Sequence, residues 1–256
     1  MATKINQMLT EWVPGDLHSL KWFNERGVPQ NTAYEYFKSG TLEKLGPGIY
    51  SRKNEKLKWF GGVRLLQEEL GKKIHISGRS ALELHGHGHY VPLGQKPIVF
   101  LKSYKEEKIP NWFSKIDFSC EFRFKNSLLF TQNVELTKYE FENGLPVLIS
   151  SRELAILEFI NDLDLRYSFE TVENYMNGLF GMRADILQNL LENCHSVKVK
   201  RVFLFLSEKL NYDYFKKINI SKIDLGKGKR QVIQENGQFN KKYQITVPKD
   251  YGENPF

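Results

Sequence analysis

Asp16-Leu17-His18-Ser19-Leu20-Lys21-Trp22-Phe23-Asn24-Glu25-Arg26-Gly27-Val28-Pro29-Gln30-Asn31-Thr32-Ala33-Tyr34-Glu35-Tyr36-Phe37-Lys38-Ser39-Gly40 is the stretch on which the reading of the chain turns. Leu17, Leu20 and Phe23, with Trp22 beside them, recur at three- and four-residue spacing and predict a helix with one buried face, capped by Asp16 or Ser19. Gly27 supplies left-handed backbone at its C-terminal end. Pro29 has φ preset for the first turn of a second helix, where its missing N–H costs nothing. That helix is predicted from about Pro29 to Lys38, with Ala33, Tyr36 and Phe37 inward and the small Ala33 allowing the two helices to cross closely. Gln30, Asn31, Thr32, Tyr34, Glu35 and Lys38 then face outward. From Thr41 to Arg52, Leu42, Leu45, Ile49 and Tyr50 flank a Gly46-Pro47-Gly48 tip and predict two short strands around a tight loop. Helix, short turn, helix and hairpin is the layout of a winged helix-turn-helix.

On that layout the N-terminal residues of the second helix meet base edges, so Gln30, Asn31, Thr32 and Tyr34 are the candidate base readers; amides bond bidentately to adenine. Lys38, Lys44 and Arg52 are candidates for phosphate oxygens, contacts that position a protein without reading sequence. The same pattern occurs in winged domains that bind only protein, so spacing alone leaves both partners open.

The 256 residues, 41% of them hydrophobic, suffice for two domains with real cores. No apolar run approaches the ~20 residues that span a bilayer, and the first residues lack the apolar core of a signal peptide, which predicts a cytoplasmic protein. Cys120 and Cys194 stand in no metal-ligand spacing and are expected as reduced thiols. The net charge of +7 is concentrated: between Cys194 and Lys242 twelve Lys and Arg face four acids, so the rest of the chain is near neutral. Lys198, Lys200, Arg201, Lys227, Lys229 and Arg230 form a basic stripe, read either as a second surface for an anionic partner or as a solvated lysine-rich face.

Trp59 to Leu70 is predicted helical, with Gly71 as its stop, and Ile74-His75-Ile76 is a short strand. Ser77-Gly78-Arg79-Ser80 opens a helix capped by Ser77 or Ser80, and Arg79 stands where a phosphate would meet both its guanidinium and free backbone N–H groups, with a capping or packing role equally open. In an extended strand, His85, His87 and His89 would share one face and converge on a metal. The intervening glycines oppose a rigid strand and no partner carboxylate is in place, so the segment reads as a glycine-rich connection and no metal or cofactor is expected. The boundary predicted there gives domains 1–93 and 94–256.

In the second domain, Pro97 to Leu101 is strand-like, Lys102 to Pro110 is a charged loop, and the alternation from Ile116 to Phe124 predicts a half-buried strand with Ile116, Phe118, Cys120, Phe122 and Phe124 inward. Leu145 to Ile149 is another strand, and Ser150-Ser151-Arg152-Glu153 is a capping box with Ser150 as N-cap. Helices follow from Leu154, then over Phe169 to Met176, Ala184 to Cys194 and Val197 to Leu210. Strands first and helices after make the fold class α+β: an N-terminal winged helix-turn-helix followed by a mixed α/β C-terminal domain. A phosphate-cradling glycine loop of catalytic spacing, paired carboxylates and a supported Cys/His dyad are all missing from the sequence, so a non-enzyme is expected.

Five blocks now carry a family resemblance. They are Gly40 to Tyr50; Ser77-Gly78-Arg79-Ser80-Ala81-Leu82-Glu83-Leu84 with Gly86 and His89-Tyr90-Val91-Pro92-Leu93-Gly94; Gly144 to Glu153; Ser196-Val197-Lys198-Val199-Lys200-Arg201; and Asp224-Leu225-Gly226-Lys227-Gly228-Lys229-Arg230 with Tyr243 to Pro248. Together they resemble the AbiEi family. The resemblance implies an antitoxin of a type IV toxin–antitoxin, abortive-infection system that defends against phage. Its winged helix would repress its own operon at inverted repeats in promoter double-stranded DNA. Its C-terminal domain would oppose a nucleotidyltransferase-like toxin, with no requirement for a stable complex. Of the three histidines only His89 falls at a family position. Pro47 departs from the family, where a basic residue is common at the wing tip, so Lys44 or Arg52 would have to supply that contact. The alternatives are a ligand-responsive winged-helix repressor without a toxin, distinguished by its gene neighbourhood, and a metal-dependent nucleic-acid enzyme built on the histidines.

Overall fold

The computed structural model describes residues 4–88, 96–131, 134–141, 144–162, 169–232 and 237–251. Its N-terminal elements run α1 (Lys4–Glu11), β1 (His18–Ser19), α2 (Leu20–Glu25), α3 (Gln30–Lys38), β2 (Leu42–Gly46) and β3 (Ile49–Arg52). The strands form an antiparallel sheet in the order β1-β3-β2. This is a complete winged helix-turn-helix, with one strand and one helix more than the sequence reading supplied. Met8 from α1 and Trp12 just after it join Trp22, Phe23, Val28, Ala33, Leu42 and Tyr50 in a core of its own, against which Tyr36 and Phe37 pack half-buried. Gly27 has φ +69° as expected, whereas Pro29, at φ −70° and ψ 164°, is the extended N-cap of α3 and not part of its first turn.

The first helix is shorter than predicted. His18 and Ser19 pair with Tyr50 and Ile49, so α2 begins only at Leu20. Neither expected cap operates there. The Ser19 amide and hydroxyl both donate to Glu69 Oε2, at 2.6 and 2.8 Å, and Asp16 binds Arg64; ionic partners some fifty residues away outcompete the local backbone.

Next come α4 (Trp59–Arg64), continued by a π-helical turn over Leu65–Glu69, then β4 (His75–Ile76) and α5 (Gly78–Leu82), continued over Glu83–His87 by a turn that kinks at Gly86. The histidine segment is not a strand in its described part: the helical path breaks at Gly86, whose φ is +84°, between His85 and His87, and Gly88 is extended, as a glycine-rich connection requires, while His89 is outside the described residues. β5 (Ile98–Ser103), β6 (Glu121–Asn126), β7 (Leu136–Glu140) and β8 (Pro146–Ser150) complete a five-stranded sheet ordered β6-β5-β4-β8-β7. β4 is antiparallel to β5 and parallel to β8, and β5 is parallel to β6. β5 runs on into the predicted loop. The strand expected from Ile116 starts only at Glu121, because the Asp117 carboxylate accepts the Ser119 N–H at 2.9 Å and Ser119 takes φ +56°. The alternating aromatics fold into a cluster instead, with the rings of Phe113, Phe118 and Phe122 5.0–5.6 Å apart.

The remaining elements are α6 (Arg152–Asn161), α7 (Phe169–Asn177), α8 (Ala184–Asn193), α9 (Val197–Lys209), α10 (Asp213–Lys216), β9 (Arg230–Gln231), β10 (Gly237–Asn240) and β11 (Ile245–Pro248), the last three forming a sheet ordered β10-β11-β9. α6 is buried at every position from Glu153 to Ile160, its apolar residues on all sides and its two carboxylates, Glu153 and Glu158, held by Arg183 and Ser150. Its cap is one residue later than predicted: Ser151 Oγ accepts the Leu154 N–H, while Ser150 donates to the buried Glu158 at 2.7 Å.

The chain divides into two compact units. One comprises residues 1–76, 93–126 and 138–149 and holds the winged helix and nearly all of the five-stranded sheet; the other comprises 77–92, 127–137 and 150–256 and holds the helices α5 to α10 and the C-terminal sheet. The fold class is α+β, and among the described residues no helix is long and apolar enough to cross a membrane.

Candidate nucleic-acid interface

α3 presents the surface that the sequence predicts. Gln30, Asn31, Tyr34, Glu35 and Lys38 are exposed, Thr32 is half-buried and Ala33 is fully buried. Tyr34 is 42% exposed, high for a tyrosine on a helix whose opposite face is core. The Lys38 ammonium lies 4.8 Å over the Tyr34 ring and 3.6 Å from the Glu35 carboxylate, so the outer face ends in a mixed-charge cluster.

The wing offers Lys44 as an exposed cation. Arg52 is less available. It pairs with Glu55 at 2.9 Å, the other Glu55 oxygen accepts the Gly15 N–H, and Arg52 Nε is buried without a hydrogen-bond partner among the described residues. Trp112 backs the wing so closely that a Cβ at Gly46 would stand 2.7 Å from its ring.

An ionic cluster that sequence periodicity does not reveal fixes the winged helix to α4. Arg64, 6% exposed, donates to Asp16 at 3.0 Å, to the Leu17 carbonyl at 3.1 Å and to Glu69 at 2.8 Å. His18 Nδ1 donates to Glu69 at 2.7 Å, and its ring stacks on Trp22 with centroids 3.8 Å apart. Burial acts to raise the Glu69 carboxyl, but hydrogen bonds from His18, Ser19 and Arg64 prevail and hold it at about 2. For Asp16 burial prevails and lifts it above the ordinary carboxylate value despite Arg64 and His18. The only sequence signal for this cluster is Arg64 itself, a charge between Val63 and Leu65 on a helix with apolar faces.

Arg79 is the candidate that the fold places elsewhere. It lies in the second unit, donates to Glu83 at 2.7 Å and has its guanidinium 6.0 Å from the Tyr175 ring centre, so its charge is engaged internally. The basic stripe also divides. Lys200 and Arg201 are buried at 4% and 2% exposure, which removes these two from the surface, while the half-buried Lys198 donates to the Asn161 carbonyl at 3.1 Å. The reason is that α9 is buried from Val199 to Ser207. Lys227, Lys229 and Arg230 are exposed. His85 donates from Nε2 to the Ser150 carbonyl at 2.9 Å, and among the described residues no three His, Cys, Asp or Glu side chains converge as metal ligands.

A family model described as "Transcriptional regulator, AbiEi antitoxin N-terminal domain" matches residues 1–93, and one described as "Transcriptional regulator, AbiEi antitoxin, Type IV TA system" matches residues 96–248. In fold the chain is similar to the crystal structure of the RV2827C protein from Mycobacterium tuberculosis, with a TM-score of 0.58 at 11% identity over 90% of this chain and 86% of that one. No curated protein matches the chain.

Proposed function

The chain belongs to the AbiEi antitoxin family of transcriptional regulators from type IV toxin–antitoxin systems, and from this we propose that it represses its own operon by seating α3 in the major groove of promoter DNA. The observation that carries this reading is the exposed Gln30–Asn31 pair at the N-terminal end of a helix whose other face is locked into a core. Gln30, Asn31, Thr32 and Tyr34 read bases; Lys38 and Lys44 hold phosphates; Arg52 joins them by exchanging Glu55 for a phosphate oxygen. One copy occupies each half of an inverted repeat. Arg79 is withdrawn from the set because it belongs to the second unit and not to α3 or the wing. The rest of the protein opposes a nucleotidyltransferase-like toxin in the cytoplasm, as part of abortive infection, and acts by binding rather than by catalysis.

The test is binding of the full chain to its own upstream DNA against a scrambled duplex over a salt series. A specificity ratio of at least ~10³ is expected, and Asn31→Ala should cost about 1–3 kcal/mol on the operator while leaving scrambled DNA unchanged. Equal, steeply salt-dependent affinity for both duplexes would overturn the base-reading role. Rescue of growth on co-expression with the neighbouring toxin gene tests the antitoxin half.

A further inference from the structure

The segment Asp224-Leu225-Gly226-Lys227-Gly228-Lys229-Arg230 is the part of the basic stripe that reaches solvent, and its backbone is unusual. The buried Arg201 guanidinium pulls four carbonyls inward: Leu225 at 2.8 Å, Gly226 at 3.0 Å, Gly228 at 2.7 Å and Gln244 at 3.1 Å. Gly226 and Gly228 take φ +61° and +78°, and a Cβ at Gly226 would stand 2.8 Å from Val197. The Gly226 N–H goes to Asp224 and the Arg230 N–H to the Gln244 carbonyl. The three successive amides between them, of Lys227, Gly228 and Lys229, have no acceptor among the described residues. Successive amides on left-handed turns form a concave anion receptor.

Charge reinforces the geometry. Among the described residues no carboxylate pairs with Lys227, Lys229, Arg230 or Arg201, so the loop carries three solvent-facing cations over a fourth that is buried. Beside it, on the edge strand β10, Phe239 is 37% exposed with the Lys229 ammonium 4.9 Å from its ring centre.

We propose that the Gly226–Arg230 loop binds a backbone phosphate of single-stranded nucleic acid, with the adjoining base stacked on Phe239. The amides and cations supply the phosphate site. An exposed ring at its rim gains nothing from a duplex, whose bases are already stacked inside, but accepts any unpaired base. The site lies wholly in the second unit and goes beyond the operator-reading role of α3.

The experiment is fluorescence anisotropy of the full chain with a labelled unpaired RNA of about 12 nucleotides, the matching DNA strand and a non-operator duplex, a length within the range of single-strand sites. Lys229→Gln with Arg230→Gln is expected to weaken single-strand binding about tenfold or more and to reduce the salt slope by about 1 to 2. Phe239→Ala should weaken it about fivefold or more and leave the duplex unaffected. Gly228→Ala keeps the charge, adds a Cβ that meets no neighbour within 4 Å and disfavours the left-handed turn, so it should weaken single-strand binding without changing the salt slope. Unchanged single-strand affinity in the Lys229/Arg230 double variant overturns the proposal, and that surface pair reports even if Gly228→Ala misfolds. Equal losses on strand and duplex also overturn it, leaving a general phosphate contact. Asn31→Ala should not alter single-strand binding, so a failure of operator reading is distinguishable from a failure here.

Discussion

Glu69 is a carboxylate that holds together residues distant in sequence, taking hydrogen bonds from His18, both donors of Ser19, and Arg64. Its folded pKa of about 2 lies below the ordinary 4.5, so it contributes stability that is complete above pH 4.5 and is lost as pH falls toward 2. The difference corresponds to about 3 kcal/mol. Glu69→Gln should therefore lower urea-unfolding stability by about that much at pH 7, with the gap from wild type closing between pH 4.5 and 2. A constant gap across that range would show that the carboxylate's charge is not what matters. Residues such as Gln30 and Asn31 were legible in the sequence because a local turn and helix decide which way they face. Asp16 and Ser19 were misread as caps because their partners, Arg64 and Glu69, come from another element, and no local pattern encodes that pairing. Lys200 and Arg201 were misread as surface because a run of cations looks the same in sequence whether carbonyls or water solvate it.

Among the elements, α6 gives the sharpest contrast between neighbouring residues. Ser151→Ala removes the N-cap and should cost about 1 kcal/mol by thermal denaturation, the usual price of a lost cap. Ser150→Ala instead deprives the fully buried Glu158 of a donor and should cost about 1–3 kcal/mol. The reverse order would restore the capping box predicted from the sequence. Glu153 has left that box for Arg183, which reaches it at 2.9 Å and holds its carboxyl at about 2 against burial. The long helices are legible: α8 and α9 begin at the predicted residues and α7 covers its predicted span, because amphipathic periodicity over ten or so residues has few competing interpretations. α1 carries the same signal in Ile5, Met8 and Leu9, with Trp12 just after it, but over only eight residues. β9 and β10 were invisible because exposed two- and four-residue strands bury no alternating face.

For the whole molecule, the division into units decides which fragments stand alone. Residues 1–72 contain the entire winged-helix core together with Arg64 and Glu69, whereas residues 1–58 would leave Asp16 and His18 without either. Thermal melts should show 1–72 unfolding cooperatively at a higher temperature than 1–58. Extending to 1–93 should bring no further gain, since β4 lacks β5 and β8, and α5 lacks the α6 it packs against. A 1–93 fragment more stable than 1–72 would count against this account. The interleaving of the two units has a temporal consequence as well. A ribosome delivers this chain from its N-terminus, so the recognition helix emerges while β8 is still about a hundred residues from being made, or about 5–20 s away at ordinary elongation rates. For that interval the nascent chain carries the winged helix and an incomplete sheet, so premature termination downstream of Glu69 releases the winged helix with its ionic cluster but stripped of the second unit.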